Sequence, residues 1–319
     1  MEELLQNVGK LEQIGKSNNS VIYKLLNKEG KPNGKVLKIV MHNEEGTHPK
    51  ECEHLHNEAN MLQNIKHPSI IRNHGTLMAN QNLKNSHFCA LQMELADTDF
   101  FDKIAKMYPN PVEPKYIRSA FLQVLNALDY LHNEMGIAHN DIKLENIFLL
   151  KNKIKLADFG FASLTDKSSK QTPQEQQKLW KNRCKTPLSP EILNLIQGKS
   201  DKNFSEKKAD IFALGVSIFQ SLFLRAPFQE DYANENDQMF KYFFSNQHSK
   251  FWEIEEIANT LKYLNQFEDF RQEAFIDLIN KMLSVNPDKR LNVKQIMKHP
   301  WFRSSNVESS NHLAGCTQF

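Results

Sequence analysis

Cysteine is scarce in this sequence. Cys52, Cys89, Cys184 and Cys316 are scattered through 319 residues without C-x-x-C spacing, so the pattern specifies neither a disulfide framework nor a zinc ribbon. No apolar, signal-like stretch precedes the first strand pattern, and the two absences together predict a reduced, intracellular protein of the cytoplasm. Long apolar runs are missing too. The longest, Ile211 to Leu224, is interrupted by Ser217, Gln220 and Ser221 and is too short for a bilayer, which predicts a buried core helix and no membrane partner. There is little excess of either charge: a net +2 with both signs interspersed supplies no strong field for nucleic acid or anionic lipid. A partner must therefore be selected by a site. No internal repeat is present.

With 40% apolar and 24% charged residues, the chain has the means to bury a large core in one or two compact units. From about Val8 to Val40, short β-like runs (Val21-Ile22-Tyr23, then Val36 to Val40) are separated by Gly30, Pro32, Asn33 and Gly34, the pattern of a hairpin meander. Lys38 falls in the middle of an apolar strand, a costly place for an ammonium unless it meets an anion. His48 to Lys66 reads as a helix ended by Pro68, with Leu55, Leu62 and Ile65 on one face. Glu58 lies on the same stripe, and a carboxylate on a packing face requires a cationic partner. His48, Cys52, His54 and His56 are of metal-ligating types, but their spacing matches no compact zinc site. Two strands, Gly75 to Met78 and Phe88 to Met93, flank the polar stretch Asn80 to His87.

Pro114 opens a long helix carrying Ile117, Phe121, Val124, Leu125, Leu128 and Leu131 at three- and four-residue intervals, with Gly136 as its expected stop. That helix delivers the polar loop His139-Asn140-Asp141-Ile142-Lys143-Leu144-Glu145-Asn146, which could carry a base, a cation and a metal ligand between rigid elements. A hairpin, Ile147 to Leu150 and Ile154 to Ala157, then leads into Asp158-Phe159-Gly160. Phe161 to Ser189 is polar and fits a mobile segment, ending in Ser189-Pro190-Glu191.

In this order, from about Leu11 to Phe302, these stretches resemble the eukaryotic protein kinase domain of serine/threonine type, of the calcium/calmodulin-dependent-kinase-like or a related group. The polar loop is similar to the catalytic H-R-D-x-K-x-x-N, with Asn140 where the family has Arg. Ile14 to Ile22 aligns with the glycine-rich G-x-G-x-x-G-x-V, of which Gly15 alone survives, and Val36 to Lys38 aligns with the end of V-A-I-K. Asp158-Phe159-Gly160 matches D-F-G, Ser189-Pro190-Glu191 varies A-P-E, and Asp210 to Gly215 matches D-x-W-x-x-G.

The resemblance implies an α+β, two-lobed fold: residues 1–93 a small antiparallel β lobe with one helix, 94–98 a hinge, 99–302 a larger mainly helical lobe, and 303–319 a short tail. It implies ATP and Mg²⁺ as cofactors. Nucleotide binding would fall to Ile14, Gly15, Lys16, Ser17, Ser20, Ile22, Val36, Lys38 held by Glu58, and the backbone of Glu94 and Ala96. Asn146 and Asp158 would hold Mg²⁺, Asp141 would take the acceptor's proton, and Lys143 would stand near the γ-phosphate. Also implied are Met93 as gatekeeper, Asp99 as a ribose contact, Gly160 as the point of backbone reversal, Asp210 as cap and brace, and an Arg290–Glu191 pair.

The implied activity is that of a monomeric protein serine/threonine kinase acting on a protein substrate. Glu145 either contacts basic residues ahead of the target or is a solvated acid. The alternative is a pseudokinase that binds nucleotide or acts as a scaffold. It draws on the thinned glycine loop, Val36, Asn140 and a shortened approach to Ser189, and is opposed by the joint presence of Lys38, Asp141, Asn146 and Asp158. Ser168, Ser169, Thr172 and Thr186 are either phosphosites or plain polar residues. Asn140 lacks the charge with which the family's arginine receives an activation-segment phosphate, so activity is expected not to depend strongly on that modification.

Overall fold

The computed structural model describes residues 10–16, 20–41, 50–78, 88–107, 112–165, 171–181, 187–200, 204–229 and 233–303. The expectations for Ser17, His48, Asn80 to His87, Ser168, Ser169, Thr186 and the tail from residue 304 lie outside them. The chain divides into two compact units, Met1–Asp97 with Ala157–Ala162, and Thr98–Leu156 with Ser163–Phe319.

The first unit is a five-stranded antiparallel sheet and one helix. In sequence these are β1 (Lys10–Lys16), β2 (Ser20–Leu26), β3 (Pro32–Met41), α1 (Lys50–Gln63), β4 (Asn73–Met78) and β5 (Phe88–Glu94), with the sheet ordered β1-β2-β3-β5-β4. The turn between β2 and β3 is closed by the Asn27 side chain, whose oxygen accepts from the amides of Glu29 (3.0 Å) and Lys31 (2.9 Å), with Gly30 at a φ of +79° that a side chain would oppose. The register of β3 sets Lys38 opposite Ile22 on one side and Leu91 on the other. Leu25, Leu37, Ile39 and Ala90 form a core on which Leu11, Tyr23 and Phe88 pack. Helix α1 buries Cys52, Leu55, Ala59 and Leu62, a stripe at three- and four-residue spacing.

Cys52 of α1 and Cys89 of β5 are joined as a disulfide, with Cα atoms 6.1 Å apart. This corrects the expectation of a fully reduced chain. The fold brings together two cysteines 37 residues apart in sequence, a separation that carries no local signature.

The second unit is mainly helical. It runs through β6 (Thr98–Asp99), α2 (Phe100–Ala105), α3 (Pro114–Asp129), β7 (Ile137–Ala138), β8 (Ile147–Leu150), β9 (Lys153–Leu156), β10 (Ser163–Leu164), α4 (Pro173–Lys181), α5 (Pro190–Ile196), α6 (Glu206–Phe223), α7 (Lys241–Phe244), α8 (His248–Trp252), α9 (Glu255–Leu264), α10 (Gln272–Met282) and α11 (Val293–Met297). Strands β6, β8 and β9 form one small antiparallel sheet, and β7 pairs with β10. Between β8 and β9, Lys151 (φ +48°) and Asn152 (φ +64°) supply the two positive φ angles of a tight hairpin turn. Helix α3 gives way to a wider π turn, Tyr130–Glu134, before Gly136 at φ +64° releases the chain into β7.

Helix α6 is buried on nearly every side, as its apolar run predicts. Gly215 lets α10 lie against it, since a Cβ there would come within 2.9 Å of the Met282 Cβ. The helix begins at Glu206 behind Ser205, a turn earlier than expected, so Asp210 sits inside it and does not cap it. The described part of the segment from Phe161 to Ser189 contains α4. Thr172 and Glu175 exchange cap bonds, the Thr172 amide to the Glu175 carboxylate at 2.7 Å and the Glu175 amide to the Thr172 hydroxyl at 3.3 Å. Trp180, one large apolar side chain in a polar stretch, buries with Leu188, Ile192, Leu195 and Ala209.

Together the two units have the expected α+β character: a small antiparallel sheet with one helix, and a larger helical unit. Among the described residues, no helix is long and apolar enough to cross a membrane.

Candidate active site

In the first unit, the costly lysine of β3 finds its anion. Lys38 Nζ donates to Glu58 Oε2 at 2.9 Å and to Asp158 Oδ1 at 3.4 Å. Glu58 is 1% exposed, and its other oxygen accepts from the Phe159 amide at 3.4 Å. Burial works to lower the pKa of the Lys38 ammonium, but the carboxylates of Glu58 and Asp158 outweigh it and hold the group above the ordinary lysine value. Burial pushes the Glu58 carboxyl above the usual carboxylate range, against the pull of Lys38. The Lys38 ammonium thus faces two carboxylate side chains, Glu58 the nearer.

The segment 157–162 is fixed in the same unit by a residue that sequence reasoning missed. Asn57 donates through Nδ2 to the carbonyls of Gly160 (3.0 Å) and Ala162 (2.9 Å). Its only signal in the sequence is adjacency to Glu58. Asp158 has φ +62°, so the backbone reversal is made there and not at Gly160, which corrects the expectation. Gly160 supplies space instead: a Cβ would lie 3.3 Å from Asp158 Oδ1 and 3.6 Å from the His54 Cβ.

Of the other expected nucleotide contacts, Ile14, Gly15 and Lys16 lie in β1, with a register shift between Gln13 and Gly15, while Ser20 and Ile22 lie in β2. Val36 and Met93 are buried cross-strand partners. The Glu94 amide is already committed to the Arg72 carbonyl at 3.0 Å, and Ala96 follows in the chain after β5. Ser17 falls outside the described residues.

In the second unit, the loop after β7 draws its polar groups together. Asn146 Nδ2 donates to the Asp141 carbonyl at 2.8 Å and to Asp141 Oδ2 at 2.6 Å, and Lys143 Nζ lies 3.0 Å from Asp141 Oδ2. Because Asn146 spends its amide hydrogens on Asp141, its oxygen is oriented as an acceptor. Asp210 braces the loop from α6: Oδ2 accepts from the His139 amide and Oδ1 from the Asn140 amide, each at 2.8 Å, and Oδ2 also lies 2.8 Å from His132 Nε2. His132 is a second residue that sequence reasoning missed. Asp99, expected at a ribose, caps α2 by accepting from the Asp102 amide at 2.7 Å. Arg290 donates to both oxygens of Glu191 at 2.6 and 2.7 Å, so the implied pair is present.

In the first unit Asp158 offers a carboxylate and in the second Asn146 an amide oxygen, each of the oxygen type that a hard cation such as Mg²⁺ takes as a ligand. Among the described residues, no group of three His, Cys, Asp or Glu side chains assembles a metal site of its own.

Comparison with known proteins gives an independent result. Residues 8–302 match the protein kinase domain family. The chain is 27% identical over 296 residues to "Calcium/calmodulin-dependent protein kinase type II subunit delta" of Oryctolagus cuniculus, covering 91% of this chain and 48% of the relative. It is 27% identical over 340 residues to "Probable serine/threonine-protein kinase fhkA" of Dictyostelium discoideum, covering 97% and 52%. It is 29% identical over 281 residues to "Protein kinase domain-containing protein ppk9" of Schizosaccharomyces pombe, covering 87% and 44%. The chain thus spans about half the length of the curated relatives it matches.

Proposed function

The chain belongs to the protein kinase domain family, and from that premise we propose that it transfers the γ-phosphoryl group of Mg-ATP to serine or threonine hydroxyls of a protein. The observation that carries the reading is the cluster at Asp141, whose carboxylate is oriented by Asn146 at 2.6 Å and neutralised by Lys143 at 3.0 Å. A carboxylate so held accepts the proton of the acceptor hydroxyl as its oxygen bonds to the γ-phosphorus and the bond to the bridging oxygen of ADP breaks. Lys143 offsets negative charge on the transferring group, and Lys38, fixed by Glu58, grips the α- and β-phosphates.

Asn146 and Asp158 are the residues that would hold Mg²⁺, which when bound neutralises charge on the phosphate oxygens. Serine/threonine specificity draws support from Lys143 two residues after Asp141, and from a relative whose printed name carries that specificity. Independence from activation-segment phosphorylation draws support from Asn140 and from the described part of that segment, where Thr172 serves as a helix cap. A monomer in the cytoplasm completes the reading, with the Cys52–Cys89 pair as the feature that opposes a reducing compartment.

The test is radiolabel transfer from Mg-ATP to a basic serine/threonine peptide, comparing the wild type with Asp141→Asn. Transfer by the wild type and its loss in the folded variant are expected. Equal background from both, with folding intact, would overturn the enzyme and favour a scaffold.

A further inference from the structure

Asn140 is the departure from the family pattern that lies next to the chemistry, and its surroundings are built for it. Its φ of +64° is in the left-handed region, where asparagine is among the few tolerated side chains. The Asn140 side chain donates through Nδ2 to Ser163 Oγ at 2.8 Å, and Ser163 Oγ donates in turn to Glu206 Oε2 at 2.5 Å. The chain of donors has one direction, from amide to hydroxyl to carboxylate, and ends on a charged acceptor, where hydrogen bonds are strongest.

Each link is anchored independently. Ser163 pairs with Ala138 in the β10–β7 ladder, and two residues on, Thr165 returns both its amide (2.9 Å) and its hydroxyl (3.0 Å) to the Gly136 carbonyl. Glu206 is 3% exposed and occupies the first turn of α6, where the helix dipole favours a negative charge. Asp210, four residues along the same helix and therefore on the same face, already holds the Asn140 amide at 2.8 Å. One helix end thus grips Asn140 twice, by the backbone through Asp210 and by the side chain through Ser163 and Glu206.

We propose that Ser163 and Glu206 are positioning residues for Asp141, which supply from the unmodified chain the negatively charged anchor that an activation-segment phosphate would otherwise provide. The inference rests on the kinase reading and adds to it two residues outside the matched motifs. Because the charge is encoded, the loop is held as soon as the chain is folded. A phosphate placed on Ser163 itself would set two anions together and undo the contact.

The experiment uses the full chain after phosphatase treatment. Steady-state kinetics of wild type, Ser163→Ala, Ser163→Thr and Glu206→Gln are measured alongside amide hydrogen exchange. Ser163→Ala is expected to lower kcat about tenfold with KM for ATP within twofold, while Ser163→Thr, which keeps the hydroxyl, stays within threefold of wild type. Glu206→Gln, whose amide oxygen still accepts without the charge, is expected to lower kcat about threefold. Exchange at His139 and Asn140 should rise about tenfold in Ser163→Ala with α10 unchanged.

Unchanged exchange at His139 and Asn140 would overturn the proposal whatever the kinetics. So would a kcat loss that Ser163→Thr fails to rescue, or one matched by a general rise in exchange through α10. If wild type shows no transfer above Asp141→Asn, the kinase reading falls, and the exchange data decide the hold on Asn140 separately.

Discussion

Replacing Glu58 by glutamine removes one charge and almost no volume from the first unit, so the consequences can be traced to the ion pair. Deleting one partner of a buried pair costs about 3–5 kcal/mol, because the remaining charge is left without compensation. Two features lower that figure here. The glutamine oxygen still accepts a neutral hydrogen bond, worth about 1 kcal/mol. Asp158, at 3.4 Å, continues to compensate Lys38. The expected loss is therefore about 2–3 kcal/mol of stability in the first unit. If the same energy is missing from the transition state, kcat/KM falls about 30- to 150-fold.

Trp180, Trp252 and Trp301 all lie in the second unit, so tryptophan fluorescence would follow the wrong transition. The assay is urea-dependent hydrogen exchange of β3 and α1 amides. A stronger check is the sign of the effect in a second background. With Lys38→Met, Glu58 becomes a carboxylate of 1% exposure without its closest cation, and Glu58→Gln should then stabilise the unit. A stability loss below about 0.5 kcal/mol in the native background, or a destabilisation in the Lys38→Met background, would refute the reasoning.

Three further outcomes can be read from the same geometry. Glu191→Ala leaves the buried Arg290 guanidinium with the carbonyls of Ser284 at 2.8 Å and Lys208 at 3.0 Å and the Phe212 ring at 5.0 Å, none of which carries a compensating charge. A loss of about 3–5 kcal/mol is expected in urea unfolding of the second unit followed by tryptophan fluorescence, and a loss under about 1 kcal/mol would contradict the pair's role. Thiol titration of the unfolded chain is expected to rise by two on reduction, for Cys52 and Cys89, and no rise would refute the pairing. Burial lowers the His248 imidazole from its ordinary 6.5, so the folded state binds that proton less tightly than the unfolded state. Its contribution to stability is fully present above the unfolded value of about 6.5 and is lost as pH falls below that through the lower folded-state value, so His248→Gln should flatten the acid side of the stability profile relative to wild type.

Those features of the site that violate a local pattern were readable in the sequence. Lys38 interrupts an apolar strand and Glu58 an apolar helical stripe, and each anomaly predicts a partner of opposite charge, found at 2.9 Å. The helix ahead of the loop and the apolar run of α6 were readable for the same reason, since burial of a regular element leaves a period in the sequence. What leaves no period is contact between residues far apart in the chain. Cys52 and Cys89 meet through the packing of α1 on β5, and Trp180 anchors α4 as one apolar residue that an average over polar neighbours conceals. The reversal at Asp158 was misplaced because glycine is the default left-handed residue, whereas Gly160 was needed for the space beside His54.

Glu206 marks the boundary between these two cases. Considered alone, an acid in the first turn of a helix is commonplace and predicts nothing beyond a favourable dipole. Considered with the rest of its helix, it is unusual, because α6 is buried along its length and Glu206 and Asp210 fall four residues apart on one face at its entry. A helix committed to the core cannot turn such a face to water, so both carboxylates must find donors inside the protein. Asp210 finds the amides of His139 and Asn140, and Glu206 finds the hydroxyl of Ser163. His139 and Asn140 lead into Asp141, and Ser163 of β10 holds the Asn140 side chain, so the apolar composition of α6 is what makes its first polar turn a fixed point for the chemistry.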